Sequence, residues 1–202
     1  MVHAAEASFF RAVEERLRRC QLVVEEGVRG GDAAAGATLA AYRLVSFHEQ
    51  LGLVAQDIDP AAMGIPTINP DLSQAEFDER WREVPWRQRA LFGVDIAVSS
   101  LGARFLATRR WLAQFLAMND LPEGDEILQV DPYDAIDDLI LDQRDLRLLD
   151  ALDHIHAQRA PEPIQVGVLY GAAHMRAVIH KLWALGYRPV EGTWLTVFTI
   201  DD

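Results

Sequence analysis

The stretch from Val166 to Met175, VGVLYGAAHM, constrains the fold of this chain more than any other. An apolar run from Ile164 to Tyr170 has the length of a buried strand, and Gly171 then allows the backbone to turn sharply. From Met175 onward apolar residues recur at helical spacing. This order of strand, tight turn and helix is typical of an α/β protein, whose parallel strands open a ligand crevice at their carboxyl ends.

His174 lies in the turn that follows this strand. The partial positive charge at a helix N-terminus disfavours an imidazolium, so the sequence predicts a neutral imidazole here. A neutral imidazole is the form that binds a metal ion or accepts a proton. The alternative is a histidine that caps the helix or fills the edge of the sheet, and this stretch alone does not decide between the two.

The composition limits the possible partners. The chain has 202 residues, and we expect residues 1–202 to form a single domain. Its net charge of −12 argues against nucleic acid or an anionic membrane, because both attract basic surfaces. The single cysteine, Cys20, cannot form an internal disulfide, and Met1 leads into polar residues without a signal-peptide pattern. Asp95 and Arg104 interrupt the most apolar stretch, so no membrane span is expected. These features predict a cytoplasmic protein.

Hydrophobic periodicity predicts the order of helices and strands. Ser73-Gln-Ala-Glu76 is a capping-box signature, and a helix should begin there. Helices are predicted over residues 6–19, 33–51, 73–81, 86–118, 133–158 and 175–185, strands over 21–28, 53–56, 164–170 and 193–200, and an irregular loop over 59–70. We therefore expect an α/β fold: a small central sheet, mixed or mostly parallel, with flanking helices and a large helical insertion over residues 72–158.

Two adjacent acids, Glu25 and Glu26, follow an apolar run that begins at Leu22. Burying a carboxylate is costly without a partner, so we expect one acid to face the crevice and the other to face solvent. Arg29 follows closely, and Arg144 in the helical region is a second candidate partner. For both arginines a structural ion pair is the alternative to a functional role.

Several other patterns have plainer interpretations. The glycines of GVRGG after the strand do not match GxGxxG, so a nucleotide site there is only weakly indicated. His154 and His156 lie two residues apart on a predicted helix and therefore point in different directions. Four aspartates at helical spacing predict a solvated face rather than a metal site, because they repel one another. They are Asp134, Asp138, Asp142 and Asp145.

The motifs in this order resemble the TraB/PrgY/Tiki group, which is related in fold to erythromycin-esterase and ChaN-like proteins. Members carry a strand ending in GxxH, a strand ending in glutamate, a helical middle and a second GxxH strand. Gly171-Ala-Ala-His174 matches the second GxxH, and Glu26 before Gly27 matches the glutamate strand. His3 is similar to the histidine of the first GxxH, whose glycine would lie one position before Met1. The Arg144-Asp145 pair and the Asp-Leu-Ser step at Asp71–Ser73 are also similar to the group.

The resemblance implies metal-dependent hydrolysis, with a peptide or small-molecule substrate. His3, Glu26 and His174 would be the metal ligands, with Glu26 as ligand or general base. Mn, Co or Zn would suit such a mixed nitrogen and oxygen set, and the bound water would attack a carbonyl. Arg29 and Arg144 would neutralise carboxylates or stabilise the oxyanion.

A second hypothesis is a catalytically silent binding or regulatory protein that keeps the fold but has an incomplete site. The glycine that the first GxxH lacks favours this hypothesis, and the intact Glu26 and His174 favour the hydrolase. Aromatic residues of the helical middle could cover the crevice or form a homo-oligomer surface. They are Trp81, Trp86, Phe92, Phe105 and Trp111.

Overall fold

The computed structural model describes residues 4–27, 51–118 and 134–200. The strands are β1 (Ala4–Ala5), β2 (Leu22–Glu25), β3 (Val54–Ala55), β4 (Thr67–Ile68) and β5 (Val166–Leu169). The helices are α1 (Ala7–Leu17), α2 (Gln74–Glu83), α3 (Trp86–Leu106), α4 (Arg109–Met118), α5 (Asp134–Asp137), α6 (Gln143–Arg159) and α7 (Met175–Ala184), with a π-helical turn at Asp138–Asp142 and a 3₁₀ turn at Ala172–His174. The predicted helix over 33–51 lies almost wholly outside the described residues.

A three-stranded parallel sheet forms the centre, with β2 between β4 and β5. Val24 lies opposite Ile68 on one side and Val168 on the other. The first three residues of β2 are buried because the strand has neighbours on both edges. The predicted α/β class with a small sheet and flanking helices is therefore confirmed. Residues 59–70 were predicted to be irregular, and this prediction is wrong for Thr67 and Ile68, which form β4.

A separate two-stranded antiparallel sheet joins β1 to β3. The predicted strand over 53–56 is thus confirmed as β3, whereas the one predicted over 193–200 is wrong. That segment carries no assigned strand, although the Glu6 N–H donates to the Val197 carbonyl over 2.9 Å. Leu195 and Val197 pack on Phe9 and its neighbours, while Trp194 is fully exposed. The alternation of apolar and polar residues predicted a strand, but a strand also needs a neighbouring strand with which it forms a series of backbone hydrogen bonds.

Between β4 and β5 the described residues are mainly helical. The capping box at the start of α2 is confirmed: the Glu76 N–H donates to the Ser73 hydroxyl, and Glu76 accepts from the Ser73 N–H. The helix predicted over 133–158 is also present, but the π-helical turn interrupts it before Gln143. A π turn holds more residues per turn than an α turn, so it changes the faces on which later side chains lie.

Two apolar clusters join these helices to each other and to the sheet. One packs α6 and α7 on the sheet and contains Val24, Leu148 and Val178. The other lies among α2, α5 and the π turn and contains Phe77 and Ile136. Within the described residues, no helix has the length and apolarity needed to cross a bilayer.

Candidate functional site

The carboxyl ends of the three parallel strands bring polar side chains to one edge of the sheet. Glu26 follows β2, Asp71 lies three residues after the end of β4, and Gly171 and His174 follow β5. Because the strands are parallel, these ends point the same way, as expected of the ligand-binding edge of an α/β sheet. The sequence-predicted pair, Glu26 and His174, lies here with Glu26 Oε1 3.6 Å from His174 Nε2.

Both carboxylate oxygens of Glu26 have donors. The Gly171 N–H donates to Oε2, and Arg144 Nη2 donates to Oε1 over 2.8 Å. Burial alone would raise the pKa of Glu26, but His174 and Arg144 outweigh it and lower the pKa to about 2. The Glu26 side chain keeps 20% of its surface exposed, so this carboxylate is accessible as well as ionised. Glu25 is also only partly exposed, and burial followed by repulsion from Asp59 raises its pKa.

Gly171 is needed for space rather than for an unusual backbone angle. Its φ of −54° is accessible to any residue, so the turn expected at Gly171 does not depend on the backbone freedom of glycine. A Cβ at this position would lie 3.2 Å from Glu26 Oε2. The absence of a side chain lets the carboxylate approach the Gly171 N–H.

Asp71 is completely buried and joins three segments of the chain. Its Oδ1 accepts from Arg144 Nε over 2.9 Å and from the Leu72 N–H over 2.8 Å. Its Oδ2 accepts from Arg144 Nη2 over 2.6 Å and from the Gly27 N–H over 3.0 Å. The Asn69 side chain donates to the Gly27 carbonyl, which fixes the end of β2 beside the same carboxylate.

Arg144 and Asp145 reach the site from the first turn of α6, directly after the π-helical turn. Although they are neighbours in sequence, they contact different partners. Arg144 bridges Glu26 and Asp71, and only 11% of its side chain is exposed. Asp145 instead contacts His174, with 2.7 Å between Oδ1 and Nδ1.

His174 is held on both sides by carboxylates. An ionised Asp145 can only accept a hydrogen bond, so the Nδ1 atom of His174 carries a proton and Nε2 faces Glu26. The ring of Tyr170 packs edge-on against the imidazole, with 5.4 Å between centroids. Burial alone would lower the pKa of His174, but Glu26 and Asp145 raise it above its ordinary value. The prediction of a neutral imidazole considered only the helix N-terminus, whereas the two nearby carboxylates act on the pKa in the opposite direction.

The described residues do not by themselves form a metal site. His174 Nε2 and Glu26 Oε1 face each other and are of the atom types that bind metal ions. The described part of the chain holds no group of three metal-binding side chains. A protein zinc site commonly uses at least three such ligands. His3, the third ligand implied by the resemblance, and Arg29 both lie outside the described residues. Arg144 Nη2 lies 2.8 Å from the same Glu26 oxygen and adds a positive charge there.

Asp71 and Asp145 belong to this cluster, although sequence reasoning did not select them as site residues. The interpretation of Asp71 as a turn or cap residue captures its bond to the Leu72 N–H but misses its ion pair with Arg144. The solvated face predicted for four aspartates is wrong at Asp145, because the π turn breaks the helical phase that placed it with the other three. The adjacent Arg144-Asp145 pair was the sequence signal for the contact of Arg144 with Asp71 and for that of Asp145 with His174.

Comparisons with protein-family models, with curated proteins and with solved structures returned no match to this chain. The relation to the TraB/PrgY/Tiki group therefore remains a resemblance of motifs.

Proposed function

We propose that this chain is a hydrolase that cleaves an ester or amide bond at the carboxyl edge of the sheet. One observation carries the proposal: a buried imidazole, His174, lies between Asp145 on Nδ1 and Glu26 beside Nε2. A carboxylate that orients the far nitrogen of a histidine is the arrangement by which enzymes prepare an imidazole for proton transfer. A peptide or a small molecule is the substrate that the resemblance implies.

In the proposed reaction, His174 moves one proton in each direction. Deprotonated Nε2 takes a proton from a water molecule as the water oxygen bonds to the substrate carbonyl carbon. The imidazolium then gives that proton to the leaving group as the carbonyl–leaving group bond breaks. Asp145 keeps its hydrogen bond to Nδ1 throughout, and the nearby Glu26 carboxylate stabilises the imidazolium.

Arg144 acts as a positioning residue in this proposal. Its Nε and Nη2 atoms are occupied by Asp71 and Glu26, so it orients Glu26 rather than facing a substrate. The Gly171 N–H orients the second oxygen of Glu26. A site whose groups are already oriented needs little reorganisation during the reaction.

The test is hydrolysis of p-nitrophenyl acetate and of a mixed library of fluorogenic peptides. We expect the wild type to cleave at least one of these, and His174→Ala to lower the rate by about 10²-fold or more. The matched control is His154→Ala, because His154 is an exposed histidine with 66% of its side chain accessible. Equal rates for the wild type and His174→Ala would refute the proposal.

A catalytically silent binding protein is the second candidate function. The observation that favours it is the closure of the cluster: Asp71 is 0% exposed and His174 is 2% exposed. In this candidate the ion pairs have a structural role, which is to join α6 to the sheet. This candidate predicts no hydrolysis by any variant, together with a loss of stability when the cluster is disrupted.

A further inference from the structure

We propose that the guanidinium of Arg144 takes the place that a divalent metal ion would have beside Glu26 and Asp71, so that the site works without a metal ion. Arg144 would thereby balance the negative charges of Glu26 and Asp71, and this proposal rests on the proposed function only where hydrolysis is concerned.

Arg144 contacts the two carboxylates as a bound cation would. Nη2 donates to Glu26 Oε1 over 2.8 Å and to Asp71 Oδ2 over 2.6 Å, while Nε donates to Asp71 Oδ1 over 2.9 Å. The contact with Asp71 is therefore a bidentate ion pair, which the planar guanidinium forms readily with a carboxylate. Since arginine does not lose its proton in proteins, this positive charge is permanent.

A metal ion would compete with Arg144 for the same oxygen. An ion bound between Glu26 and His174 would use Oε1, which already accepts from Nη2. Its charge would then lie a few ångströms from a guanidinium whose side chain is only 11% exposed, where water screens repulsion poorly. The other oxygen, Oε2, accepts from the Gly171 N–H, so an ion at Glu26 would have to share either oxygen with a donor that is already bound there.

Metal binding is the first experiment. Chelator-treated wild type, Glu26→Gln and His174→Ala are titrated with MnCl2 and with ZnCl2 by calorimetry. We expect the same number of bound ions in all three, because any ions then bind elsewhere on an acidic chain. An ion that the wild type binds and both variants lose would overturn the inference.

The second experiment removes the guanidinium. Arg144→Met leaves Glu26 and Asp71 without their shared cation, so MnCl2 should raise its thermal midpoint by roughly 2 °C or more beyond the wild-type shift. The matched control is Arg147→Met on the same helix, whose partner Glu76 is 40% exposed. Its shift should equal that of the wild type. If Arg144→Met gains no more from MnCl2 than Arg147→Met, the two carboxylates do not require a cation and the inference fails.

The proposed function can fail separately from this inference. Binding and thermal shifts need no activity, so a wild type that hydrolyses nothing would refute the hydrolase and leave the metal result standing. If the wild type is active, EDTA should leave its rate unchanged. A rate that EDTA abolishes and MnCl2 or ZnCl2 restores would overturn the inference and leave the hydrolase in place.

Discussion

Replacing Asp71 with asparagine tests how strongly the fold depends on the buried cluster. The side chain is fully buried and accepts from two nitrogens of Arg144 and from the Gly27 and Leu72 N–H groups. Asparagine keeps the size but has one acceptor oxygen, so whichever way it is oriented its NH2 group faces donors. Arg144 also loses the counter-ion with which it makes its shortest contact, 2.6 Å.

We expect Asp71→Asn to lower the free energy of unfolding by about 3–5 kcal/mol, the usual cost of removing one partner of a buried ion pair. For a chain of this length, that corresponds to a fall of roughly 6–20 °C in the thermal midpoint. Urea unfolding followed by circular dichroism measures the change. Total stability is typically about 5–15 kcal/mol, so the variant retains a measurable transition in most of that range.

Two further variants make this test decisive. Glu76→Gln also converts an acid paired with arginine into an amide, but its pair with Arg147 is partly exposed, and a glutamine can still accept from the Ser73 N–H. Its urea midpoint should therefore fall much less than that of Asp71→Asn. The double variant Asp71→Asn with Arg144→Met removes both charges of the buried pair but also takes Arg144 away from Glu26. Its loss of stability should therefore be smaller than the sum of the two single losses. A loss for Asp71→Asn no larger than that of Glu76→Gln, or a double variant whose losses simply add, would refute the reasoning.

Four other predictions follow from the same contacts. The rate should fall on the acid side with a midpoint above pH 6.5, because His174 must be deprotonated; Asp145→Asn should move that midpoint to lower pH, and an unmoved midpoint in the pH–rate profile contradicts this. The pKa of Glu26 is about 2 against an ordinary 4.5, so its ionised carboxylate stabilises the fold fully above pH 4.5, and this contribution is lost as pH falls toward 2. Wild type should be about 2–3 kcal/mol more stable than Glu26→Gln at neutral pH, and urea unfolding should show this difference shrinking between pH 4.5 and 2. Gly171→Ala should destabilise by about 1–3 kcal/mol because its Cβ crowds Glu26, whereas Gly93→Ala in an open helical position should stabilise by roughly 1 kcal/mol; thermal midpoints that move in the same direction refute this. Ser73→Ala should cost about 1 kcal/mol in urea unfolding by removing the cap of α2, and a neutral result contradicts the capping role.

Local sequence signals predicted the parts of the fold that depend on local physics. The capping box at Ser73 depends on a four-residue hydrogen-bond pattern, which the sequence contains directly. The apolar run that became β5 and the acid that follows β2 also indicated that Glu26 and His174 lie at one sheet edge. The capping box involves residues close together in sequence, and the shared sheet edge follows from the parallel pairing of β2 and β5.

The errors arose where a contact depends on distant or irregular structure. The pairing of Asp145 with His174 depends on a π turn, and helical periodicity assumes a regular helix. Burial of Asp71 depends on Arg144, which is 73 residues away in sequence. The segment 193–200 alternates like a strand, but pairing also needs a neighbour in register.

The most direct test of the account is the titration of His174, followed by ¹⁵N NMR of its ring nitrogens. We predict a pKa above 6.5, a proton on Nδ1 in the neutral form, and a lower pKa in both Glu26→Gln and Asp145→Asn. A ring that titrates at or below 6.5 and does not respond to either substitution would show that the two carboxylates do not hold this imidazole, and the proposed site would then be wrong.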